Sequence, residues 1–391
     1  MDGPWQRMLA ATKREDLPQV YLATLAVPGA LCRACFTFAD VLRRTQADVL
    51  DVLGLGAQEC SYEIVESGPY WCLRDYAAQH NGRPSLIIVA APIKQPYIWD
   101  LAPSVSAVRY LLKQGLHVYL LEWLPERPGS ENIGLDEYVE AISQCCAQIT
   151  RTESGMPFLI GHSLGGTLAA ISSALMPGRI KGLILLATPL CFAPGSSQFR
   201  DALVALVPPV LSNTGHFPGS LLSYIAGLAA PRTFLWSRLM DAAFSVGDDE
   251  ALQIHGRVDR WTLDEIPLPG KAVDQIMRWF YRENRFCAGT LKIGKTFVGP
   301  FSLSVPMLAV VNTADDIAPL ASIKPCMDAM PTTDVRIIEY PGERGVGLQH
   351  IGVLVGRKAF ARVWPEIISW LKCHNARGGS LIKISASPAQ T

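Results

Sequence analysis

A net charge is what this chain most plainly lacks. Its 35 basic and 35 acidic side chains cancel over 391 residues, and no Lys/Arg block builds a local field, so binding of nucleic acid or of an anionic membrane is not expected. Long apolar runs are missing as well. The most apolar early stretch, Val20 to Phe36, is interrupted by Pro28 and Arg33 and falls short of the roughly 20 residues that a bilayer crossing asks for. The opening Met1-Asp-Gly-Pro-Trp5 does not lead through a charged region into an apolar run of about 7–15 residues, the pattern of a secretory signal. Ten cysteines, two of them adjacent at 145 and 146, do not read as a secreted disulfide framework. These absences predict a soluble, cytoplasmic protein with no transmembrane segment. Cys32-Arg-Ala-Cys35 has zinc-like spacing, but no second Cys or His pair lies near to complete four ligands. No metal is expected, and the pair reads as part of an apolar helix face.

What is present is a reactive turn in a telling context. Phe158-Leu-Ile-Gly-His-Ser-Leu-Gly-Gly-Thr-Leu168 is an apolar strand, a Gly-x-Ser-x-Gly bend and the start of a small-residue helix. In that setting the bend lifts Ser163 above the edge of a sheet, and Gly161 and Gly165 are there because a side chain would collide. The helix from Leu164 points its first N–H groups at the same spot and favours negative charge on an attacked carbonyl.

The rest of the chain supplies that sheet. Residues 1–60 carry helical periodicity without a chemical motif and form an amino-terminal helical segment. From 61 to 191, strand-like runs such as Leu86-Ile-Ile-Val-Ala, Val118-Tyr-Leu-Leu and Gly182-Leu-Ile-Leu-Leu alternate with helical stretches. Alternation predicts an α/β fold, a mostly parallel central sheet with helices on both faces. Between 192 and 290 the alternation stops, and a helical insertion is expected to cap the carboxyl edge of the sheet. Its apolar Trp236, Leu239, Phe244, Trp279 and Phe280 either line an acyl pocket or are plain core, the commoner fate at helical spacing. Strands resume over 291–374 with Met307-Leu-Ala-Val-Val and Val335-Arg-Ile-Ile-Glu-Tyr, then an apolar helix near Val353 to Leu371. Residues 375–391 read as a weakly ordered tail.

A serine hydroxyl needs an imidazole to take its proton and a carboxylate to orient that imidazole. In folds with this elbow the chain order is Ser, acid, His. Downstream of Met307 to Val311, the loop Asn-Thr-Ala-Asp315-Asp316 offers the acid at Asp315, with Asp316 as the neighbouring alternative. The loop after the next strand ends at His350, the expected base. His216 and His255 fall in the insertion, His117 opens a strand at its wrong end, and His80, His162 and His374 are read as loop or tail residues. One oxyanion donor is expected at the N–H of Leu164. The other should follow the strand ending at Ala90, where Pro92 has no N–H and Ile93 is the first choice, with Lys94 second.

Several blocks beyond the elbow resemble the polyhydroxyalkanoate synthase family of α/β-hydrolase-fold enzymes: Pro92-Ile-Lys-Gln-Pro-Tyr-Ile-Trp-Asp-Leu, Gly115-Leu-His-Val-Tyr-Leu-Leu-Glu-Trp, Arg282-Glu-Asn-Arg-Phe-Cys-Ala-Gly, Ala314-Asp-Asp-Ile-Ala-Pro and His350-Ile-Gly-Val. They run in family order from about residue 60 to 370, and the resemblance implies a triad at Ser163, Asp315 and His350. Two departures from the family pattern bear on the chemistry. Ser163 replaces the usual nucleophilic Cys, and Asp316 stands where a His usually follows the triad acid. The expectation is acyl transfer from an acyl-coenzyme A or acyl-carrier-protein thioester, through an acyl-Ser163, to a hydroxyl. Thioester or ester hydrolysis is the alternative, and a catalytically silent binding partner a third reading. No cofactor beyond the thioester co-substrate is expected; candidate partners are a carrier protein and a second copy of the chain.

Overall fold

The apolar runs become the middle of an eight-stranded sheet in a computed structural model that describes residues 29–77, 82–125, 132–153, 155–209, 211 and 215–382. Its strands are β1 (Glu63–Ser67), β2 (Trp71–Asp75), β3 (Ser85–Val89), β4 (His117–Trp123), β5 (Phe158–His162), β6 (Gly182–Leu186), β7 (Met307–Asn312) and β8 (Val335–Tyr340). Their spatial order is β1-β2-β4-β3-β5-β6-β7-β8. From β4 to β8 all pairs are parallel, while β1–β2 and β2–β4 are antiparallel. β3, β5, β6 and β7 are buried along their whole length, as strands covered on both faces must be.

Helix α1 (Gly29–Val52) precedes the sheet, and α2 (Ala107–Lys113), α3 (Leu135–Thr152) and α4 (Leu164–Leu175) connect its strands. Alternate residues of each strand feed two separate cores. Ile87, Val89, Leu159, Leu185 and Ala309 pack with the apolar faces of α3 and α4 on one side. Leu86, Ile88, Ile160, Leu186 and Val310 pack on the other with α2 and with Val363, Trp364 and Ile367 of the last helix.

Between β6 and β7 come α5 (Gln198–Leu206), α6 (Gly219–Ala229), α7 (Ser237–Ser245), α8 (Asp249–Thr262) and α9 (Gly270–Gln275), with π-helical turns at Arg232–Trp236 and Ile276–Arg282. Two strands of two residues each, His216–Phe217 and Leu268–Pro269, pair antiparallel within this insertion; they are too short to leave a periodicity in the sequence. α1 joins the insertion rather than standing apart. The Ser220 N–H donates to Asp40 Oδ1 at 2.7 Å, the Ser220 hydroxyl to the Phe36 carbonyl at 2.7 Å, and the Arg43 guanidinium to the Thr262 carbonyl at 2.6 Å.

After β7, α10 (Lys324–Asp328) leads to β8, and α11 (Gly352–Val355) and α12 (Arg357–Ile382) close the chain. The sequence reading of a loose tail from 375 needs correction, because α12 continues through Ile382. Residues 383–391, like 1–28 of the amino-terminal segment, lie outside the described residues. No described helix is long and apolar enough to cross a membrane.

Candidate active site

Ser163 sits between β5 and α4 with φ 53° and ψ −130°, a setting that costs a residue bearing a Cβ on the order of 1–3 kcal/mol and needs outside support. Support comes from both chemistry and space. The Ser163 N–H donates to the Leu186 carbonyl of β6 at 3.1 Å, and the Ser163 carbonyl accepts from Thr167 N–H at 3.1 Å. A Cβ placed on Gly161 would lie 2.6 Å from Gly166 Cα, and one on Gly165 would strike the Val89 carbonyl. Gly166, which the motif alone does not single out, is required too, since a Cβ there would strike the Thr188 hydroxyl. Leu164 is the first residue of α4, so its N–H has no partner inside the helix. Ile93 lines the same cavity as Ser163 and Leu164. Its carbonyl accepts Ile266 N–H at 3.1 Å, and Lys94 bridges to Glu265, which ties the segment after β3 to the cap.

β7 and β8 pair in parallel register, which sets the loops at their carboxyl ends side by side. Asp315, in the first of these, is buried and places Oδ2 2.7 Å from His350 Nδ1. Its Oδ1 accepts the Ile317 N–H at 2.9 Å. Burial works against the charged carboxylate, but the His350 imidazole and the Ile317 N–H outweigh it and hold Asp315 below the ordinary carboxylate range. Asp316 points elsewhere, accepting the Thr233 hydroxyl of the cap at 3.0 Å. His350 is the middle residue of a 3₁₀ turn, Gln349–Ile351, that opens the final helical region. The Gln349 carbonyl accepts from Asn312 Nδ2 at 2.7 Å, and the His350 carbonyl accepts from His162 Nε2 at 2.8 Å. Nδ1 is thus committed to Asp315, which leaves Nε2 as the basic nitrogen.

Sequence reading undervalued His162. It is the last residue of β5, adjacent to the serine, with its ring centroid 4.7 Å from that of His350. Burial, then the nearby His350, pushes its pKa down to about 3. A neutral His162 therefore keeps its Nε2–H on the His350 carbonyl and ties the elbow to the loop that carries His350. Its position inside the elbow was the available signal.

Residues 86–337 match the model of the alpha/beta hydrolase family. The chain belongs to that family. Within it, this chain is similar to curated poly(3-hydroxyalkanoate) polymerase subunits PhaC: 28% identical to that of Haloferax mediterranei over 73% of this chain and 58% of the relative, and 27% identical to that of Haloarcula marismortui over 73% and 60%. The chain therefore spans about three fifths of the length of these relatives. Among solved structures, a lipase candidate from Sulfolobus solfataricus shares the fold, at 18% identity and a TM-score of 0.52 over 80% of this chain and 92% of that one.

Beside Ser163 and His350 the chain forms a cavity of about 1680 Å³, larger than the roughly 300–1,000 Å³ of ordinary small-molecule sites. Its walls are largely apolar, with Leu203, Leu222, Ile225, Phe234 and Met277 from the cap and Phe36 and Leu42 from α1. The residues that the sequence offered for this lining are not the ones that supply it. Trp236, Leu239 and Phe244 are 65%, 65% and 54% exposed, whereas Phe280 is fully buried in the sheet core with Trp279 packed against it. None of the five is among the residues that line the void. α1, read as devoid of chemistry, contributes to the wall.

Three of the other histidines have structural partners among the described residues. His117 contacts Asp75 at 2.8 Å at the far end of the sheet, His255 lies between Asp241 and Asp259, and His374, on α12 rather than in a tail, contacts Asp334 at 3.0 Å. His216 is in a two-residue strand of the cap, and His80 lies outside the described residues. No group of three or more potential metal ligands gathers among the described residues.

Proposed function

We propose that the protein is an acyltransferase that takes an acyl group from a thioester, acyl-coenzyme A or acyl-carrier protein, onto Ser163 and passes it to a hydroxyl acceptor. The observation that carries this reading is the His350 Nδ1–Asp315 Oδ2 contact of 2.7 Å beside a strained Ser163, with serine and histidine opening on one apolar cavity. In this reading His350 Nε2 takes the Ser163 proton as the hydroxyl oxygen attacks the thioester carbonyl. Asp315 stabilises the imidazolium, and the N–H groups of Leu164 and Ile93 receive the oxyanion. The thiol leaves with the proton from His350, and an incoming hydroxyl repeats the sequence in reverse. An apolar acyl chain suits the cavity wall. Similarity to poly(3-hydroxyalkanoate) polymerase subunits over 73% of the chain supports an alcohol acceptor.

Hydrolysis is the second reading, favoured by the oxygen nucleophile itself. Moving an acyl group from a thioester to Ser163 is downhill and returning it to a thiol is uphill, so water competes well as acceptor. Single-turnover product analysis with an acyl-coenzyme A, with and without a hydroxyacyl acceptor, separates the two. Transfer predicts a new ester that grows at the expense of free acid when acceptor is present. Equal free acid under both conditions removes transfer in favour of hydrolysis. A binding protein without turnover would gain no mass at Ser163 from a fluorophosphonate.

A further inference from the structure

The loop that delivers His350 leaves β8 through glycines at 342, 345 and 347 with φ of 72°, 82° and 71°. Left-handed residues in such a turn bring neighbouring N–H groups to one side and create a hollow suited to an anion. Here the anion comes from the cap. Asp241 of α7 accepts the Gly345 N–H on Oδ1 at 2.7 Å and the Gly347 N–H on Oδ2 at 2.5 Å. Those donors stand five and three residues before His350.

A buried carboxylate needs compensation beyond two amides. His255 of α8 provides it, with Nδ1 3.5 Å from Asp241 Oδ2 and Nε2 3.4 Å from Asp259 Oδ2. Held first by Asp241 and then by Asp259, this imidazole is raised to about 9 and stays charged at neutral pH. The Arg344 guanidinium also sits 4.4 Å over the Phe244 ring of α7. The same stretch of cap reaches the acid loop, where Thr233 bonds Asp316, the residue next to Asp315.

We infer that Asp241 is a positioning residue: by gripping Gly345 and Gly347 it holds the loop of His350 in register, so that the base is aligned only while α7 is seated over the cavity. The inference rests on the Ser163–His350–Asp315 reading above. It makes the cap a condition for the chemistry as well as a wall for the acyl chain, and links occupancy of the cavity to alignment of the base.

Fluorophosphonate labelling of Ser163 in the full chain, with the maximal rate separated from the half-saturating probe concentration, tests it beside amide exchange of residues 343–350. Asp241→Asn keeps the volume but turns one acceptor oxygen into a donor facing a Gly N–H. The maximal rate should fall about tenfold to a hundredfold with the half-saturating concentration unchanged, and exchange of the loop should accelerate. Asp259→Asn, which leaves both glycine bonds in place, should change the rate far less. A folded Asp241→Asn protein with wild-type maximal rate and wild-type exchange overturns the inference, as does a loss confined to probe affinity. Should Asp241→Asn not fold, Asp241→Glu, which keeps both acceptor oxygens but displaces them by a methylene from Gly345 and Gly347, is read by the same two measurements, with the same outcomes deciding. Absence of labelling in the wild type would overturn the triad reading instead, and loop exchange would still decide whether Asp241 holds the loop.

Discussion

Asp315 and Asp316 are adjacent in sequence and opposite in direction, which separates their expected effects. Asp315→Asn removes the carboxylate that fixes the His350 tautomer, so acylation of Ser163 should slow by about 10⁴. Asp316→Asn disturbs only the contact with Thr233 and should stay within about tenfold of wild type; comparable losses in the two variants, read as acylation rates, would contradict the assignment. His162 carries a prediction for stability. Its pKa, lowered to about 3 in the fold from an ordinary 6.5, means that the unfolded chain binds a proton between those values and the folded chain does not. Stability therefore falls as pH drops below about 6.5, by on the order of 2 kcal/mol at about pH 5. Urea midpoints at neutral and mildly acidic pH should converge in His162→Gln, which keeps an N–H donor without a titrating ring. An unchanged acid slope in that variant would show that another group is responsible.

At the scale of elements, the elbow depends on a close approach between α4 and β3. Gly165→Val would drive a branched side chain against the Val89 carbonyl, costing roughly 1–3 kcal/mol, to be read as a lower denaturation midpoint together with loss of Ser163 labelling. This geometry was legible in advance because it depends on glycines at fixed positions around a serine. β3, β5, β6 and β7 were legible too, since burial on both faces leaves continuous apolar runs. β1 and β2 were not. β1 is mostly exposed at the sheet edge with glutamates at both flanks of Ile64-Val65, and β2 buries Arg74, whose charge is met by Glu59 and Glu122 at 2.7 Å each. A buried ion pair disguises a strand because each partner alone reads as surface. The lining of the cavity was illegible for a different reason. Which side of a cap helix faces inward is set by how the helices pack on one another, and Trp236 and Phe234 differ in that respect although only two residues apart.

At the scale of the whole molecule, α1, the cap and the sheet edge line an apolar void beside the serine. If that void holds the acyl chain, each added methylene should contribute about 0.8 kcal/mol. Lengthening the donor from butanoyl to octanoyl should then raise kcat/KM by roughly two-hundredfold, while Met277→Trp, filling part of the wall, should penalise the longer chain selectively. A flat dependence on chain length would separate the void from the substrate. The measurement that bears most directly on the account is the intact mass and peptide map of the protein after brief exposure to an acyl-coenzyme A. The account predicts one acyl group on Ser163, absent in Ser163→Ala and formed at least about a thousandfold more slowly in His350→Ala. An unmodified wild-type chain under conditions that trap a fluorophosphonate would refute the thioester donor, and a stable acyl group on any other residue would refute the nucleophile itself.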